Sequence, residues 1–256
     1  GGIYSKLVAW KTAKRAVSNS KANLIHIHCA SDWSFKRKLS IAKKARVPVV
    51  FHIHSGKFNI ECKKKLKGFH IVTLSDSWSQ KLQPLIGNST AIINPVNPLI
   101  TPGGVRKDFV LLMGRPDPVK GHDFAFSLGL SNLKVTGVNR APQGIEALGW
   151  VSEEEKLKLL QTAKVLLVPS GYEGQPMVIL EALAADCPII ASTNVPDLPG
   201  CIISIDLDDR DGWIKAIERP ICEGLLEAVE SHRIENVRKI WQGFYDEIIA
   251  SNASTE

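Results

Sequence analysis

No apolar stretch in this chain approaches the roughly 20 residues a helical membrane span requires. No two cysteines stand in a CxxC spacing, and the five present, Cys29, Cys62, Cys187, Cys201 and Cys222, are scattered and odd in number. That pattern argues against a zinc knuckle and against a disulfide framework, and leaves reduced, buried thiols as the simplest expectation. No secretory signal pattern is visible, so a cytoplasmic location is expected. Nothing repeats at solenoid period, and no segment is of low complexity. No acidic cluster suited to Mg²⁺ stands out, since Asp206, Asp208, Asp209 and Asp211 read as the solvated start of a helix.

What is present is a chain of 256 residues, 44% hydrophobic and 23% charged, enough for two ordinary domains. Short apolar strands alternate with helical stretches, the pattern of parallel sheets covered on both faces. Strands are predicted at 24–29, 47–54, 70–75 and 90–93, then at 108–114, 133–136, 165–169 and 188–192. Helices are predicted at 4–19, 34–46, 76–86, 120–128, 152–161, 176–185 and about 234–251. Between the two series lies NPVNPLITPGG (94–104), the most Pro- and Gly-rich segment of the chain. The expected organisation is therefore a domain over 1–100, a second over 101–233, and a helix in 234–256 that packs back across both. Ligands in doubly wound folds gather at the carboxyl ends of strands.

Charge is lopsided. Residues 1–67 hold sixteen Lys and Arg against Asp32 and Glu61, on a chain whose net charge is +6. One half thus looks fit for an anionic partner, either a membrane surface or nucleic acid. Nucleic acid is disfavoured because aromatic-interleaved RNA signatures are missing.

The most informative segment is PSGYEGQPMVILEALAADCPIIAS (169–192). It reads as a strand, a tight loop and a helix with Pro176 at its first position, where a missing N–H costs nothing. The amides from Met177 onward have no partner within the helix and, with its dipole, form an anion site. Glu173 lies in the loop and Glu181 two turns into the helix. Carboxylates of this kind accept hydrogen bonds from sugar hydroxyls while the helix end holds a diphosphate. A second segment, LLMGRPDPVKGHDF (111–124), ends a strand at Gly114 and sets Arg115 and Lys120 in the following loop. A donor fork and a point charge suit a diphosphate.

Taken together, GR-x4-KG, LGWVSEEEKLKLL (148–160) and PS-x-x-EG-x-P-x-x-x-x-EA resemble the family-4 group of retaining, GT-B-fold glycosyltransferases. HIHCASDWSFKRK (26–38), VPVVFHIHSGKF (47–58), VTLSDSW (72–78) and INPV (93–96) resemble that family's acceptor-side strands and hinge. The resemblance implies two Rossmann-like domains facing a cleft, with the N-terminal one reduced because a first strand, a Gly-rich loop and a helix of the family pattern are missing ahead of residue 25. It implies that Arg115 and Lys120 neutralise the donor diphosphate, that Gly114, Gly174, Pro176 and Val178 shape the donor loops, and that Glu173 lies at the sugar near the amides of Gln175 and Met177. Glu181 would accept from the ribose hydroxyls, and His54 would be the histidine near the donor sugar, with His52 on the same side of its strand as the competitor. His26 and His28 read as structural. The implied reaction is metal-independent transfer, with retention, from a UDP- or GDP-linked sugar to a glycan or glycolipid, with no cofactor. The enzyme would be cytoplasmic, or peripheral at a membrane through its basic N-terminal region. The alternative is a non-catalytic nucleotide-sugar-binding protein or an inactive fragment. The chain departs from the family pattern at 133–150, where a helix is missing, and at STNVPDLPG (192–200), which replaces a Gly-rich turn.

Overall fold

The computed structural model describes residues 3–29, 32–54, 66 and 68–254. The Ser55-Gly56 segment after His54, Cys62 and most of the basic run 57–67 lie outside the described residues. Two compact units are formed, one by residues 1–93 with 237–256 and the other by 94–236.

The first unit contains α1 (Ile3–Ser18), β1 (Ile25–Cys29), α2 (Asp32–Ala42), β2 (Val49–Ile53), β3 (His70–Thr73), α3 (Asp76–Ile86) and β4 (Thr90–Ala91). Its sheet is parallel, in the order β1-β2-β3-β4. Strand side chains alternate between faces. Ile27, Cys29, Phe51, Ile53 and Ile71 therefore pack with Phe35 and Leu39 of α2 and with Leu82 and Ile86 of α3. The other face carries Val50 and Val72, covered by Val237, Trp241, Phe244 and Ile248 of the C-terminal helix Ile234–Ala253. Ser75 caps α3, its hydroxyl accepting from the Trp78 amide at 3.4 Å.

The second unit runs β5 (Val110–Leu112), a 3-10 turn (Pro118–Lys120), α4 (His122–Ser127), β6 (Leu133–Thr136), β7 (Glu146–Gly149), α5 (Glu153–Thr162), β8 (Val165–Val168), α6 (Met177–Ala184), β9 (Ile189–Ser192), β10 (Ile203–Ile205), α7 (Arg210–Glu218) and α8 (Leu225–Val229). Its six parallel strands lie in the order β10-β9-β8-β5-β6-β7. Both faces are covered. Leu111, Leu166 and Val168 pack towards Leu160 of α5 and Ile179 and Leu183 of α6. Val110, Leu112, Leu133 and Leu167 pack towards Ala125 of α4 and Trp213 of α7. The α/β fold with parallel sheets read from the sequence is the fold observed. β7 and β10 lie outside the strands expected from the sequence: β7 (Glu146–Gly149) carries little apolar character, and β10 (Ile203–Ile205), though apolar, is only three residues long. No helix joins β6 to β7, as the sequence had indicated. Asp209 caps α7, its carboxylate accepting from the Gly212 amide at 2.9 Å, so this aspartate is committed to the helix start.

Candidate functional site

In the second unit the chain grows outward from β5 through β6 to β7, then returns to place β8 on the other flank of β5. The loops after β5 and β8 therefore diverge, and a crevice opens between them at the strands' carboxyl ends, where doubly wound folds bind ligands. Those two loops carry Gly114–Lys120 and Pro169–Pro176.

Two close approaches of backbone hold the crevice in shape. Gly121 has φ 71°, and a Cβ there would lie 2.0 Å from the Pro169 carbonyl oxygen. Gly137, with φ 79°, would put a Cβ 2.0 Å from the carbonyl oxygen of Gly114. Only glycine allows both the conformation and the contact. Asp117 caps the 3-10 turn by accepting from the Val119 amide at 3.1 Å. Lys120 is thereby presented from the end of that turn, its aliphatic stem against Gly114.

The Lys120 ammonium donates to Glu173 Oε1 at 2.6 Å, and the Ser170 hydroxyl donates to the same oxygen at 2.8 Å. Ser170 is buried, and its carbonyl accepts from the Ser192 hydroxyl of β9. The side chains of Lys120 and Glu173 are 24% and 12% exposed, so the pair is largely withdrawn from solvent yet still reachable. An ammonium has three donors, and Lys120 can hold Glu173 and a phosphate together. Arg115 is 68% exposed and paired only loosely, at 3.2 Å, with Asp117.

Pro176 corrects an expectation. With ψ at 118° its backbone is still extended, so it caps α6 and Met177 is the first helical residue. Its ring still withholds no donor that the helix needs. Glu181 is accordingly one turn into the helix, not two. Gln175 is anchored through its side chain, whose Oε1 accepts from the Asn94 amide at 2.8 Å. Gly174 and Gln175 are half-buried and Pro176 is buried, while Met177 is 40% exposed.

Beside these loops lies a cavity of about 240 Å³, lined among others by Gly114, Arg115, Trp150, Lys156, Val178 and Glu181. Glu181 accepts from Lys156 Nζ at 2.8 Å, and Lys156 also pairs with Glu153 at 2.7 Å. Lys156 and Trp150 escaped the sequence reading. The signal was available in LGWVSEEEKLKLL, where the Ser152–Glu155 capping box fixes the helix start and thus the face that Lys156 occupies. Trp150 is 76% exposed at the cavity rim, an unsatisfied apolar face fit to stack on a planar ring.

His54 belongs to the first unit. Parallel pairing sets His28 opposite His52, so the even positions of β1 and β2 bring His26, His28, His52 and His54 to one face. His28 Nδ1 lies 2.8 Å from His54 Nε2, and the rings of His52 and His54 are 4.0 Å apart. Burial, then the neighbouring imidazole of His28 and the charge of Lys38, holds the His54 pKa below its ordinary value. Burial takes His26 to about 4 and His52 to about 3, helped by the other histidines. The sequence placed His52 and His54 together, and the structure adds the pair on β1.

Residues 128–222 match the family model described as glycosyl transferases group 1. Over 262 aligned positions the chain is 25% identical to an uncharacterized glycosyltransferase of Methanocaldococcus jannaschii, covering 91% of this chain and 73% of the relative. Among solved structures it is similar to the sucrose-phosphate synthase of Thermosynechococcus elongatus, with TM-score 0.80 at 17% identity over 95% of this chain and 78% of that one. It is also similar to Anabaena HepE, solved in complex with UDP and glucose, with TM-score 0.71 at 15% identity over 100% of this chain and 84% of that one. The fold is thus the one seen in GT-B glycosyltransferases. Over residues 128–222 the chain is similar to the group 1 glycosyltransferases, and a glycosyltransferase is the enzyme class that these likenesses support.

Proposed function

We propose that this glycosyltransferase moves a sugar, with retention of anomeric configuration, from a UDP- or GDP-linked donor to a glycan or glycolipid acceptor, without a metal ion. The observation that carries the reading is the cavity lined by Arg115 and the Lys156–Glu181 pair, with the Lys120–Glu173 pair on the β5 and β8 loops beside it. Glu181 is assigned to the ribose hydroxyls and Trp150 to the base, across the cavity they share. The UDP bound to the Anabaena neighbour favours uridine over guanosine.

When the bond from the anomeric carbon to the diphosphate breaks, negative charge grows on the departing phosphate and positive charge on the sugar. Arg115, Lys120 and the first amides of α6 oppose the former with donors already in place, which is where most such catalysis resides. Glu173, held by Lys120 and Ser170, orients the sugar hydroxyls. The acceptor hydroxyl attacks from the face that the diphosphate leaves and gives its proton to the departing phosphate oxygen. His54 is assigned to the donor sugar through the family resemblance. The basic first unit is assigned to the acceptor side, at an anionic membrane surface. Among the described residues no helix is long and apolar enough to cross a membrane.

The test is incubation with UDP- and GDP-sugars and a panel of lipid and oligosaccharide acceptors, with proton NMR of the product. A product whose anomeric configuration matches the donor supports the reading. An inverted product overturns retention, and tight donor binding without release of diphosphate leaves the non-catalytic alternative standing.

A further inference from the structure

The histidine cluster of the first unit has features that sugar transfer does not use. His26, His28 and His52 offer nitrogens that all lie within 4.8 Å of one another. His52 is 4% exposed, and among the described residues neither of its ring nitrogens has a hydrogen-bond partner. The Nε2 of His26 is likewise buried and has no partner among the described residues. Leaving a buried polar atom unpaired costs about 1–3 kcal/mol, and an ion that takes one nitrogen from each of His26 and His52 satisfies two of these three. We propose that His26, His28 and His52 form a binding site for a divalent transition-metal ion of the zinc class.

The donor set fixes the class of ion. Three imidazoles and no carboxylate suit Zn²⁺, Co²⁺, Ni²⁺ or Cu²⁺, whereas Mg²⁺ and Ca²⁺ take oxygen ligands. A tetrahedral ion with nitrogens about 2.0–2.1 Å away separates its ligand atoms by about 3.3 Å. The rings therefore need to close by roughly an ångström or so, within the reach of side-chain torsions. His28 is exposed and provides the path of entry.

An outer partner is also in place. His26 Nδ1 lies 2.6 Å from the Tyr245 hydroxyl, contributed by the C-terminal helix. A ring that donates from Nδ1 to that oxygen keeps its Nε2 lone pair turned into the cluster, the arrangement by which ligating histidines are oriented. Trp241, 4.8 Å from His26 and 5.1 Å from His52 between ring centroids, closes the apolar side. His28 is also the partner of His54, so an ion that draws on His28 alters the proton those two rings share. The site lies within the first unit, and it stands or fails apart from the nucleotide-sugar reading.

The experiment is titration of tag-free, chelator-stripped full chain with Co²⁺, followed by visible absorption, then displacement by Zn²⁺. One Co²⁺ per chain is expected, with d–d bands of tetrahedral intensity that Zn²⁺ abolishes. His28→Ala, at an exposed residue, and His26→Gln each remove a direct ligand, and each is expected to weaken binding more than the loss of an outer partner, that is by more than about tenfold. Tyr245→Phe, which touches no metal, is expected to weaken it by about 10-fold. Cys222→Ser, at an exposed thiol in the other unit, leaves it unchanged. Circular dichroism checks that each variant is folded. Absence of the bands in wild type, or an affinity that His28→Ala and Tyr245→Phe both leave intact, overturns the proposal.

Discussion

Replacing Gly121 by alanine tests whether the crevice depends on the contact between the β5 and β8 loops. Gly121 and Gly129 have nearly the same backbone, φ 71° and 72°, but different surroundings. At Gly129 a Cβ would meet nothing within 4 Å, whereas at Gly121 it would sit 2.0 Å from the Pro169 carbonyl oxygen. An L-residue in the left-handed region costs roughly 1–2 kcal/mol, a cost common to both substitutions. Relieving the clash adds about 1–3 kcal/mol at Gly121 alone, because backbone must move. Urea titration of the two variants beside wild type reads the difference. Gly129→Ala is expected to lose only the shared conformational cost. Gly121→Ala is expected to lose clearly more, and to weaken nucleotide binding as Lys120 shifts from Glu173. Equal losses would refute the reasoning, since they would mean that the contact with Pro169 places no constraint on the loop.

Other consequences follow from the paired charges and buried rings. Lys156→Met leaves Glu181, whose side chain is 13% exposed, without its cation, and about 1–2 kcal/mol of stability should be lost. Adding Glu181→Gln should restore part of it, a non-additivity that a double-mutant cycle measures. Glu173→Gln keeps the Ser170 contact but removes the charge facing Lys120, so transfer should fall far more than nucleotide affinity, read as kcat against KM. The low folded pKa values of His26 and His52, about 4 and about 3 against 6.5, give a definite pH dependence. Above 6.5 neither state is protonated and their contribution is complete. As pH falls from 6.5 towards 4 the unfolded chain takes up protons that the folded one refuses, and stability declines. Urea midpoints of metal-free protein should drop over that window, and His52→Leu should flatten the decline; a flat wild-type profile contradicts the burial argument.

Legibility in the sequence divided along a physical line. Arg115, Lys120, Glu173 and Glu181 were readable because strand-end and helix-start signals place them within short segments. The Lys156–Glu181 pair spans 25 positions, and nothing local says which helix face meets which. The histidines show the same limit. An HxH spacing puts His52 and His54 on one side of a strand, but the register that sets His28 against His52 is a property of the sheet. Pro176 was placed one residue too far into its helix, because a proline fits both the cap and the first turn and only ψ separates them. Fold class came through clearly, since alternation of apolar strands and helices is repeated along both halves. β7 and β10 did not, being too short to carry a pattern.

The proposed activity requires that the second unit hold a nucleotide-sugar donor at the β5 and β8 loops. A thermal-shift panel of UDP, GDP, ADP, CMP and their sugar conjugates, run on wild type, Glu181→Ala and Arg115→Ala, tests it most directly. A ligand at 100 times its dissociation constant stabilises by about 2.7 kcal/mol, readily seen as a shift in Tm. One nucleotide that shifts wild type, with smaller shifts in both variants, is the predicted result. No shift with any of them, or a shift that both variants retain in full, contradicts the account.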